Sequence, residues 1–191
     1  IRRKLPKELV LYLIDKAVGA ARTREASSRM FPLHLACQAG ADEELIEKLF
    51  EVYPKAIDEV DSNGNTFFHV ACMQRRLTVE LAEKLLHMST FKTIRQTNED
   101  EALPLHIACQ NRLPLEVLLL LSDCYPEALV YKDKRGNVPL HKAFQTSTEL
   151  PVLVRLANRN HRALSRRNKR GETPLDCVSD VDRKKFLRAQ Y

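Results

Sequence analysis

Leu103-Pro104-Leu105-His106-Ile107-Ala108-Cys109 is a stretch that the chain keeps rewriting. It appears as Phe31-Pro32-Leu33-His34-Leu35-Ala36-Cys37, as Thr66-Phe67-Phe68-His69-Val70-Ala71-Cys72, and as Val138-Pro139-Leu140-His141-Lys142-Ala143-Phe144. A degraded copy reads Thr173-Pro174-Leu175-Asp176-Cys177-Val178. The marker position falls at 34, 69, 106, 141 and 176, in steps of 35, 37, 35 and 35. A fixed period in this range is the mark of supersecondary units stacked in a linear array.

Each copy has a physical logic. Proline suits a first helical turn, whose N–H groups have no internal partner. Thr66 and Thr173 stand one residue earlier, where a hydroxyl caps those groups. The small alanine lets neighbouring helices approach. These segments resemble the Thr-Pro-Leu-His-x-Ala motif of ankyrin repeats, in a variant with Cys after the Ala, from residue 26 to about 179. The resemblance implies an all-α solenoid of helix-turn-helix repeats with short projecting fingers. It also implies that the histidine bonds the turn ahead of it and the next repeat, and that the cysteine position is core.

A second pattern supports this register. Leu45, Ile46, Leu49 and Phe50 recur after 36 residues as Leu81, Ala82, Leu85 and Leu86. They return as Val117, Leu118 and Leu121, and after 35 more as Val152, Leu153 and Leu156. The units are then 26–60, 61–97, 98–132 and 133–167, with a truncated C-terminal capping repeat at 168–191. Residues 1–25 hold an amphipathic helix with Leu9, Val10, Leu13, Ile14, Ala17 and Val18 on one stripe, read as a capping helix or a half-repeat. Tyr53-Pro54 and Tyr125-Pro126 end outer helices, and Asp61-Ser62-Asn63-Gly64 has finger-turn composition. The loop Ser89 to Thr97 reads as two residues longer than its counterparts, and the finger Asn98-Glu99-Asp100-Glu101 lacks the glycine that a tight turn favours.

Composition fits such an array. The chain has 191 residues, 44% hydrophobic, and its apolar runs, such as Val117 to Leu121, are far too short to span a bilayer. No secretory signal pattern is visible, and the chain begins with Ile1 rather than Met. Five cysteines, three at one repeat position, read as packing in a reducing intracellular compartment, the cytoplasm or another, with an organelle left open. The net charge of +6 is unevenly spread: residues 1–29 carry +5, residues 30–130 carry −8 and residues 131–191 carry +9. That asymmetry concerns partners rather than fold.

His34-x-x-Cys37, His69-x-x-Cys72 and His106-x-x-Cys109 have the spacing of metal-ligand pairs on one helix face. Each also recurs once per repeat at a packing position, so the reading is packing, with no metal and no cofactor. No nucleophile–base pair, Gly-rich phosphate loop or His-Glu-x-x-His motif is present, and the reading is non-enzymatic. Arg155, Arg159, Arg162, Arg166 and Arg167 form a basic run, with the first three at helical spacing. It reads either as solubilising surface or as a docking edge for an acidic protein or RNA.

The expected function is a protein-interaction module, or a structural subunit of a larger assembly, whose partner is another protein. The alternative is binding of an anion, RNA or DNA along the basic C-terminal edge. Matched to the ankyrin pattern, the candidate contacts are Ser62, Asn63, Asn65, Met73 and Gln74, then Glu99, Asp100, Gln110 and Asn111. They continue with Lys134, Arg135, Asn137, Gln145, Thr146, Lys169 and Arg170. These polar positions change from repeat to repeat while the apolar framework does not.

Overall fold

Pro32, Pro104 and Pro139 open three helices, and Thr66 caps a fourth with its hydroxyl. A computed structural model of the chain describes residues 18–146 and 149–189. Among the described residues, four inner helices, Pro32–Ala39, Phe67–Cys72, Pro104–Gln110 and Pro139–Gln145, each lead into an outer helix. The outer helices are Glu43–Val52, Val79–Met88, Leu115–Cys124 and Leu150–Arg159. Each inner helix packs on the inner helix of the next repeat, which makes a stack rather than a globule.

The core runs the length of the stack. Leu33, Phe68, Leu105 and Leu140 are buried on the inner helices, and Ile46, Ala82, Leu118 and Leu153 on the outer ones. Cys37, Cys72 and Cys109 are fully enclosed beside them, and burial pushes the Cys37 and Cys109 thiols up to about 12. They behave as small hydrophobes with little thiolate. Phe144 takes the cysteine position in the fourth repeat. Its ring meets Phe186 of the last helix, Asp180–Ala189, edge-on at 5.1 Å between centroids. That helix packs against the outer helix Leu150–Arg159 of repeat four.

Prolines stop the outer helices as their placement suggests, and short 3-10 turns follow at Pro54–Asp58 and Pro126–Val130. Repeat two departs from this, with a short α-helix at Phe91–Arg95 started by the Thr90 hydroxyl. The two extra residues of this repeat do not both lie in the Ser89–Thr97 loop, contrary to expectation. His69 stands one residue farther from the buried Ala82 than His106 stands from Leu118, so one extra residue lies in the Met73–Thr78 connection. The other lies after the outer helix.

Of the N-terminal segment, Val18–Arg22 forms a 3-10 turn; Leu9, Val10, Leu13, Ile14 and Ala17 lie outside the described residues. Among the described residues, no helix is long and apolar enough to cross a membrane.

Candidate functional site

The fingers are tight turns that hydrogen-bond to one another. In fingers two to five, which begin at Asp61, Asn98, Asp133 and Asn168, an Asx side chain accepts two backbone N–H groups, while in the first Glu25 accepts the Ser28 N–H. Asp61 Oδ1 takes those of Asn63 and Asn65, both at 2.8 Å, and Asp133 Oδ1 those of Arg135 and Asn137. Asn98 and Asn168 do the same in fingers three and five. Neighbouring fingers are then joined by one backbone bond per junction: Ser62 N to Ser28 O, Glu99 N to Asn63 O, Lys134 N to Asp100 O and Lys169 N to Arg135 O, at 2.8–3.0 Å.

This ladder explains the glycines. Gly136 has φ +78°, and a Cβ there would stand 2.8 Å from the Lys169 backbone nitrogen. Finger three forms the same turn without glycine, contrary to the sequence expectation. Glu101 adopts φ +54° and its N–H bonds the Asn98 carbonyl at 2.9 Å, as Gly136 N–H does that of Asp133. The hydrogen bonds over-determine a left-handed conformation that costs a non-glycine residue about 1 kcal/mol.

Behind the fingers the histidines connect repeats. The backbone N–H groups of Thr66, Leu103 and Val138 donate to Nδ1 of His69, His106 and His141 at 3.1–3.2 Å. A backbone N–H can only donate, so each Nδ1 is unprotonated and the proton sits on Nε2. Nε2 of His69 accordingly donates to the Ala102 carbonyl, that of His106 to the Asn137 and Tyr131 carbonyls, and that of His141 to Glu172. Burial drives the pKa of His69 and His106 down to about 4, outweighing the carbonyls that favour the proton.

Asp176 performs the acceptor half of this role in the last repeat, taking the Thr173 N–H and hydroxyl at 2.7 Å each. Those bonds hold its carboxyl at about 2. His34 is as buried as the others, yet neither ring nitrogen meets a hydrogen-bond partner among the described residues.

A family model for ankyrin repeats, three copies, matches residues 33–128. The chain belongs to the ankyrin-repeat family. In this ankyrin stack the histidine–carbonyl bonds continue beyond the matched span, from His141 into the fifth finger.

The candidate contact residues separate into two groups. Ser62, Asn63, Glu99, Asp100, Lys134, Arg135, Lys169 and Arg170 are exposed fingertips, and Met73, Gln110 and Gln145 are exposed at inner-helix ends, with Gln74 half-buried. Asn65 and Asn137 are instead only 3% exposed and serve inside the scaffold. Asn65 donates to Asp61 and accepts from Asn98 Nδ2 at 2.9 Å, and Asn137 links Asp133 to Asn168 in the same way. Asn111 and Thr146 also tie repeats together, donating to the carbonyls of Cys72 and Cys109.

Grooves open between repeats among the described residues. One of about 700 Å³ lies between fingers four and five, and it gathers Lys134, Arg135, Gln145, Lys169 and Arg170. Asn168 and Glu172 line it too; sequence reasoning missed them, although Asn168 repeats Asn98 in register. Another, of about 950 Å³, runs between the helix connections of repeats one and two past Met73, Gln74, Arg75 and Arg76.

The basic edge is not one surface. The outer helix ends at Arg159, where Asn160 turns extended, and Arg162 lies in a separate 3-10 turn, His161–Ser165. Helical spacing therefore does not hold from Arg155 through Arg162. Arg159 pairs with Asp123 on the preceding outer helix, and Arg167 donates to the Gly171 carbonyl within its own finger. With Arg166, these five arginines are exposed, and none lines the finger groove.

Proposed function

We propose that the chain is a non-enzymatic protein-interaction module that receives its partner on the fingertips and the exposed inner-helix ends. Ankyrin repeats generally mediate protein–protein interaction. The observation that carries the reading is the contrast along the finger ladder. One backbone pattern repeats at every junction while the exposed residues change from Ser62-Asn63 to Glu99-Asp100 to Lys134-Arg135 to Lys169-Arg170. Constant scaffold with variable exposed tips is the arrangement by which a stack presents an extended, specific surface.

The contact set is Ser62, Asn63, Met73, Gln74, Glu99, Asp100, Gln110, Lys134, Arg135, Gln145, Lys169 and Arg170. Among the described residues all five cysteines are free thiols, which fits a reducing compartment. The same extended surface suits a structural subunit that holds other chains in a larger assembly.

The test is capture of partners from the native source by the intact chain and by two variants. One variant carries Asn63→Ala, Gln74→Ala, Gln110→Ala and Gln145→Ala. The other carries Glu80→Ala, Glu116→Ala and Arg155→Ala on the outer helices. Capture lost with the first and kept with the second supports the reading. The reverse pattern contradicts it.

A further inference from the structure

The geometry points to an extended peptide of two charge blocks as the ligand of fingers three to five. Its acidic block enters the groove between fingers four and five, and its basic block lies against finger three. This rests on the finger-face reading above and specifies what that face selects.

Three observations carry it. First, the groove is basic at its lip and already satisfied at its floor. Lys134, Arg135, Lys169 and Arg170 are exposed, and among the described residues none forms an ion pair. The two carboxylates that line it are occupied: Glu172 accepts from Asn168 Nδ2 at 3.0 Å, and Asp176 holds Thr173 and pairs with Arg183. The charge left facing outward is positive. At about 700 Å³ the groove has room for a few side chains, not a domain.

Second, the neighbouring finger has the opposite sign, and the backbone ladder holds it beside the groove, with Lys134 Nζ donating to the Glu99 carbonyl at 3.5 Å. Glu99, Asp100 and Glu101 are exposed on finger three. The bonds from Lys134 N to Asp100 O and from Lys169 N to Arg135 O fix the acidic tip one finger away from the first basic one. Two opposite fields held at a fixed separation select a ligand whose charges alternate in blocks, and they repel one of uniform sign at one end or the other.

Third, RNA fits poorly on both counts. Its backbone is uniformly anionic and would meet Glu99, Asp100 and Glu101. No aromatic residue lines the groove to stack a base. Carboxylate side chains of a peptide ask only for the lysine and arginine donors present.

The test is selection of a random dodecapeptide display library on the intact chain. It is repeated on a Lys169→Glu/Arg170→Glu variant and a Glu99→Lys/Asp100→Lys/Glu101→Lys variant. All substituted side chains are exposed, and unchanged melting confirms that each variant folds. Expected from the intact chain are peptides with an Asp/Glu block separated from a Lys/Arg block. The first variant loses about tenfold in affinity for them and stops enriching the acidic block alone. The second stops enriching the basic block alone.

Absence of enriched acidic blocks, enrichment unchanged by either reversal, or tighter binding of a short polyuridylate than of the selected peptides would overturn the proposal. Enriched uncharged peptides that lose binding on Asn63→Ala or Gln74→Ala would overturn it too, while leaving the interaction-module reading standing. Peptides whose binding responds only to outer-helix substitutions would defeat both.

Discussion

Between fingers two and three, Glu99 N–H bonds the Asn63 carbonyl, and Asn65 bridges Asp61 to Asn98 behind it. Between fingers three and four the backbone bond is there, from Lys134 to Asp100, but Ala102 stands where the bridging asparagine would be. Asp133 turns to Lys142 Nζ at 3.0 Å instead. Burial alone would raise the Asp133 carboxyl, yet Lys142 and the Asn137 N–H outweigh it and hold it below the usual aspartate range. The next junction has the bridge again, through Asn137 and Asn168.

The comparison separates what the stack requires from what it tolerates losing. Backbone bond and histidine occur at both junctions; the asparagine bridge does not. It is absent where the fingertips change sign, from Glu99-Asp100 to Lys134-Arg135.

The largest expected effect comes from the element common to both junctions. His106→Ala leaves the Leu103 N–H and the Asn137 carbonyl without their partner in a buried site, at a cost of about 2–4 kcal/mol. His69→Ala should cost about 1 kcal/mol less, because the Asn65–Asn98 bond still joins its junction. Urea unfolding measures both. Equal losses would mean that the asparagine bridge contributes nothing.

Gly136→Ala comes next, at about 2 kcal/mol, because the new Cβ meets the Lys169 backbone in a left-handed turn. Glu101→Gly should act in the opposite direction by less than about 1 kcal/mol, relieving the φ of +54° while loosening the unfolded chain. A destabilising Glu101→Gly in thermal melts would show that the glutamate side chain holds the finger.

The bridge itself is tested by Asn137→Ala, which frees one of the two Asn168 Nδ2 hydrogens while the other stays on Glu172, and should cost about 1 kcal/mol. Ala102→Asn, beside a cavity of about 140 Å³, should recover up to about 1 kcal/mol. Hydrogen exchange gives the sharper view: the Lys134 amide should exchange faster than those of Glu99 and Lys169, whose junctions are bridged.

Acid should weaken the histidine-linked junctions. The unfolded chain takes up protons near pH 6.5, whereas His69 and His106 take them only near 4. Stability is therefore full above about pH 6.5 and falls as the pH drops toward 4, by up to about 1.4 kcal/mol per pH unit for each histidine. Asp176, held at about 2, adds no loss in that window. Urea midpoints that do not move between about pH 7 and pH 5 would contradict the neutral-histidine relay.

The repeat, the inner and outer helices and the packing role of the His/Cys positions are legible in the sequence, because period and apolar spacing report burial directly. Which polar residues face inward is not. Asn65 and Asn137 vary like contact residues, yet they are buried; the clue is an Asx or Glu four residues after an Asx, as in Asp61/Asn65, Asp133/Asn137 and Asn168/Glu172. Missing glycine misleads in finger three, since a network of hydrogen bonds overrides one residue's preference. Arg155, Arg159 and Arg162 look continuous only if the helix ignores Asn160, whose side chain instead accepts the Arg162 N–H and starts a new turn. The meeting of Lys134-Arg135 with Lys169-Arg170 follows from register alone, whereas the groove between them needs the structure.

Fingertip charge steering partner capture is tested most directly by association rates. A partner captured from the native source is mixed with the intact chain and with a Lys134→Glu/Arg135→Glu/Lys169→Glu/Arg170→Glu variant, at low and at high salt. The expected result is an unchanged melting temperature, since exposed charges contribute little to stability, with capture slowed most at low salt. Equal association rates of the two forms at low salt would contradict it.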